Sequence, residues 1–167
     1  MADLTPNERS ALAQISELKD PEKLRALIVN ARRLKSHAVE AAAFERLCFV
    51  QPEATPGTVE HDVWQSIHAL EQMLLDERGK TVRLSRTRQK IARHGEAKTA
   101  ADLSLKPQPA DGFHMLVERN HANLAFEAVV LKHPKTFTKD VLAAAESRLS
   151  LANIDPQPFI DQGRGTN

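Results

Sequence analysis

Aromatic residues are scarce in this chain of 167 residues, which holds no Tyr, one Trp and six Phe, 4% in all. Sandwiches and barrels build their strands from aromatic and β-branched residues, so this shortage argues against both, while the many Ala, Leu, Glu and Arg favour helix. Cysteine is nearly absent too. Cys48 is the single one, so no internal disulfide can form, and a reducing cytoplasm is the expected location. Flanked by Leu47 and Phe49, it reads as a small buried hydrophobe rather than a nucleophile. No apolar stretch approaches the roughly 18 to 20 residues that span a bilayer. The opening residues MADLTPNERS lack the basic-then-apolar design of an export signal. The expectation is a cytoplasmic protein with no membrane partner.

Motifs of metal and phosphate chemistry are missing as well. Six glycines leave few loops able to approach a phosphate closely, and there is no HExxH, no Cys-His zinc pattern and no phosphate-binding glycine loop. His114, Glu118 and His121 would share a face at spacings of four and three if their helix ran unbroken. A di-iron site of the ferritin-like kind needs two Glu-x-x-His pairs, and Glu118 to His121 supplies one. No metal, no cofactor and no catalytic residue is therefore expected, and nothing in the sequence requires an enzyme.

What the sequence has in quantity is helix punctuation. Hydrophobic residues at 41% and charged residues at 27% match an ordinary globular chain. Thr5-Pro6 with Glu8 places a hydroxyl at N-cap, a proline at N1 and a carboxylate at N3 ahead of Leu12, Ile15 and Leu18. Asp20-Pro21-Glu22 repeats the device before Leu24, Leu27, Ile28, Ala31 and Leu34. A third helix from Ser36 turns Val39, Ala43, Phe44, Leu47 and Cys48 inward. The segment QPEATPGT, 51 to 58, interrupts. Val59, Val63, Ile67, Leu70 and Leu74 then mark a long central helix, with Trp64 beside the stripe and Gly79 as a left-handed stop. A basic helix is predicted from about Thr81 to His94, closed by Gly95. Short helices follow, capped by Asp111, Asn123 and Thr138. Residues 128 to 131, AVVL, fit either a helix or a short buried strand.

The predicted fold is all-α, an irregular multi-helix bundle with the long central helix and the basic helix after it. Residues 1–95 are read as an N-terminal helical unit, 96–154 as a C-terminal cluster that either stands apart or joins the first, and 155–167 as a flexible tail.

Charge is the functional lead. Net charge is only +1, but residues 78 to 98 hold eight Lys or Arg against one acid, a balance of +7. Residues 1 to 77 carry eight basic and thirteen acidic groups, a balance of −5. On a helix Arg83, Arg86, Lys90 and Arg93 would line one stripe, with Leu84 and Ile91 as anchors on another side. Such a stripe suits phosphate oxygens, which Arg forks grip bidentately. The expected function is nucleic-acid binding, DNA ahead of RNA, through Lys80, Arg83, Arg86, Arg88, Lys90 and Arg93. The alternative is a helical protein-interaction or scaffold module, possible as a homo-oligomer, whose arginines pair with acids of this chain, of a second copy or of a protein partner.

Overall fold

The computed structural model describes residues 3–165. Among them it contains ten α-helices and no strand. The chain forms two compact units, Met1–Glu53 and Ala54–Asn167. The division falls in the proline-rich 51–58 segment, not between 95 and 96, and the long helix and the basic helix both belong to the second unit.

The first unit is a set of three helices, α1 (Pro6–Ile15), α2 (Pro21–Arg33) and α3 (His37–Val50). Thr5 and Glu8 form the expected capping box, the Glu8 N–H donating to Thr5 Oγ1 at 3.2 Å and the Thr5 N–H to Glu8 Oε2 at 2.8 Å. Asp20 accepts from the Glu22 N–H at 2.9 Å. The Ser36 hydroxyl does not cap its own helix; it donates to Glu8 Oε1 at 2.6 Å and ties the start of α3 to α1. Val39, Ala43, Phe44, Leu47 and Cys48 are all buried, and Leu24, Ile28 and Ala31 of α2 face them. Leu34 departs from the expected stripe: it lies just past α2, 68% exposed.

The second unit is built on α4 (Val59–Arg78), α5 (Ser85–His94), α6 (Glu96–Leu105), α7 (Asp111–Glu118), α8 (Phe126–Lys132), α9 (Lys139–Leu151) and α10 (Gln157–Gly165). Gly79 ends α4 at φ +69, its N–H donating to Leu75 O at 2.8 Å. The centre of this unit is α8, not the longer α4. Ala128, Val129, Val130 and Leu131 are buried on every side, and α4, α6, α9 and α10 pack around them. The AVVL run is thus helix and not strand, and its burial on every side marks it as a core segment.

Three sequence expectations need correction here. The basic helix starts at Ser85 rather than Thr81. The start is fixed by Glu71 of α4, whose carboxylate accepts from the Leu84 N–H at 3.4 Å. Asp111 and Asn123 are not caps: Ala110 and Ala125 hold those places, and Asn123 lies in a 3-10 turn, Ala122–Leu124. The segment from Asp155, read as a flexible tail, carries α10, which packs on α8 with Phe159 and Gly163 buried.

Candidate nucleic-acid interface

The second unit sorts the six cations expected to contact phosphate into two groups. Arg88 and Lys90 are half-buried and engaged. Arg88 lies on the inner side of α5 with Ile91, where its Nε and Nη2 donate to the two oxygens of Glu71 at 3.0 and 2.5 Å, a bidentate pair. Its guanidinium sits over the Trp64 ring at 5.1 Å, and Trp64 Nε1 donates to Glu96 Oε1 at 3.1 Å. One arginine thus fastens α5 to α4 by charge and by stacking. Lys90 Nζ lies 3.3 Å from Asp102, which also takes Lys98 at 3.3 Å and so ties α5 to α6. Burial alone would raise the Asp102 carboxyl, but bonding to Lys90 and Lys98 and the charges of both outweigh it and hold the group below its ordinary value.

Lys80, Arg83, Arg86 and Arg93 form the second group. All four are exposed, and none has an ion pair among the described residues. Arg86 and Arg93 are on α5, seven positions and two turns apart, so they share a face with Gln89, also exposed. Arg83 precedes α5 and is not on the helical stripe; it and Lys80 stand in the connection after Gly79. Arg93 in the last turn also suits the helix dipole.

The sequence therefore located the basic surface but not its division into anchors and open groups. It passed over Arg78, exposed at the end of α4, which the charge count of the segment already contained. His114, Glu118 and His121 do not share one helix, since α7 ends at Glu118. Among the described residues no cluster of three His, Cys, Asp or Glu side chains could hold a metal ion, and no helix is long and apolar enough to cross a membrane. Comparison with models of known protein families, with curated proteins and with solved structures finds no match for this chain.

Proposed function

We propose that this protein binds nucleic acid, DNA ahead of RNA, by phosphate contacts from Lys80, Arg83, Arg86 and Arg93. The observation that carries the reading is the sorting of charge on one short segment. Arg88 and Lys90 are consumed by Glu71 and Asp102, whereas four neighbouring cations stay in solvent without an acid to balance them. Two guanidinium groups on α5 with Lys80 and Arg83 in the connection before it, unbalanced by acids, suit phosphate oxygens without base readout.

The test is fluorescence anisotropy with labelled duplex and single-stranded oligonucleotides across a salt series. If each of the four groups neutralises about one phosphate, log affinity for duplex falls against log salt with a slope near −3.6, from about −0.9 per contact. Replacing Arg86 and Arg93 by Ala should shallow that slope by about 1.8 and weaken binding to unrelated sequences about equally. Arg88→Ala should leave the slope unchanged and instead cost about 1.5–3 kcal/mol of stability, because it strands Glu71 and uncovers Trp64. Absence of binding at low salt, or a slope indifferent to Arg86 and Arg93, would refute the proposal and turn the surface over to an acidic protein partner or a second copy.

A further inference from the structure

An open groove of about 500 Å³ lies in the second unit between the end of α6, the 106–110 connection, α7 and α9. Its size falls within the roughly 300–1,000 Å³ of small-molecule sites. None of Lys80, Arg83, Arg86 and Arg93 lines it. One part of its wall is apolar, from Phe113 and Val117 of α7, and is continued outward by Leu105 and Leu151. Those two are 50% and 84% exposed, an unusual investment of apolar surface at the rim of one groove.

The other part is polar, with Lys106 as its open cation and Arg148 already paired with Glu127 at 3.0 Å. Lys106 and Arg148 line it, and among the described residues no Asp or Glu does. Arg148 is 9% exposed, and its Nη1 donates to Leu103 O at 2.9 Å and to Glu127 Oε1 at 3.0 Å, while Nη2 donates to Lys106 O. Two of its five N–H groups thereby close the end of α6, a third pairs with Glu127 of α8, and two remain. Ser104, 1% exposed, also lines the groove, and its Oγ has no hydrogen-bond partner. Buried hydroxyls in folded proteins are nearly always bonded. Closing α6 and pairing with Glu127 account for Arg148; they account neither for the unsatisfied Ser104 hydroxyl nor for the leucines at the rim.

We infer that this groove binds a small carboxylate with an apolar body, its head beside Ser104, Arg148 and Lys106 and its body along Phe113, Val117 and Leu151. The hydroxyl and the spare guanidinium N–H groups are donors for the carboxylate oxygens. The rim leucines close over the apolar part. A cation finds no acid in the groove, and an uncharged analogue leaves the donors unmatched.

The test titrates decanoate, decanol and decyltrimethylammonium, three heads on one chain length, into the full-length protein, followed by amide shifts in nitrogen-15 correlation spectra. Decanoate should shift Ser104, Leu105, His114, Ser147 and Leu151 saturably, with an affinity at least about tenfold above that of decanol, and the cation should not bind. Ser147 is an exposed groove residue on α9. Ser147→Glu should weaken decanoate at least about tenfold through like-charge repulsion, with decanol little changed and the circular dichroism spectrum preserved. Ala144→Phe, which fills the groove, should remove both. Equal affinity for decanoate and decanol, shifts scattered away from the groove, or a Ser147→Glu variant that still binds decanoate normally would overturn the assignment. Decanoate binding is read independently of oligonucleotide binding, so either proposal can fail alone.

Discussion

Asp62 and His133 are 71 positions apart in sequence and meet at 2.6 Å, Oδ2 to Nε2, joining the first turn of α4 to the end of α8. Burial by itself raises the Asp62 carboxyl. The hydrogen bond from His133, with the charges of Lys132, His133 and His61, more than offsets this and holds the group below its ordinary 3.8. A carboxyl depressed in the folded state stabilises the fold at pH above its unfolded value, and that contribution is lost as pH falls through the folded value. Asp62→Asn should therefore be less stable than the parent by about 1.5 kcal/mol near pH 6. In urea unfolding the gap should shrink once pH drops below 3.8 and keep shrinking with further acid. A gap that stays constant from pH 6 to pH 2.5 would show that the carboxylate charge is not what holds His133. Cys48 offers the contrast: burial first and the Glu45 charge second push its thiol up, which suits the inert apolar role its neighbours in sequence suggest.

Helix ends were legible where the signal is local. Thr5 with Glu8, Asp20 with Pro21, Gly79 and Thr138 each act through their own side chain or backbone within three or four residues of the boundary they mark. The start of one helix and the existence of another were obscured because their cause is tertiary. α8 was legible as a short helix that ends before Pro134, but its start was not: the N-cap is Ala125, which makes no side-chain cap bond, and not Asn123, and burial of Ala128, Val129, Val130 and Leu131 together left the run AVVL open to a strand reading. α10 has a glycine- and proline-rich sequence that reads as frayed, yet a side chain at Gly163 would place its Cβ 2.5 Å from Leu131 O and 2.8 Å from Pro134 Cδ. Only a residue without Cβ lets α10 approach the end of α8 so closely. Gly163→Ala should cost about 1–3 kcal/mol by overpacking, more than the roughly 1 kcal/mol that Ala ordinarily gains over Gly in a helix. Gly165→Ala meets nothing within 4 Å and should be neutral or slightly stabilising. Thermal unfolding of the two variants side by side decides it: a Gly163→Ala protein as stable as Gly165→Ala would mean that α10 is not held by this contact.

At the scale of the whole molecule, the position of the basic surface was readable because it is a contiguous run, but its division was not. Glu71 is 17 positions from Arg88, and Asp102 is 12 from Lys90, so no local rule says which cations are consumed. Both acids belong to the second unit, as do Lys80, Arg83, Arg86 and Arg93. The basic surface therefore has its anchors, its open cations and the core beneath them within residues 54–167. This unit has the size of an ordinary independent domain and a buried centre in α8. Produced alone, residues 54–167 should unfold cooperatively, keep a strongly helical circular dichroism spectrum and bind oligonucleotides with the salt slope of the full chain to within about one contact, roughly 0.9. Residues 1–53 carry eight basic and eight acidic groups and should bind no oligonucleotide at the same salt. A slope shallower by two contacts or more in the shorter chain, with its helix content intact, would instead assign part of the phosphate contact to bases of the first unit, of which Arg32 is already held by Glu40 at 2.9 Å while Arg33 and Lys35 are exposed.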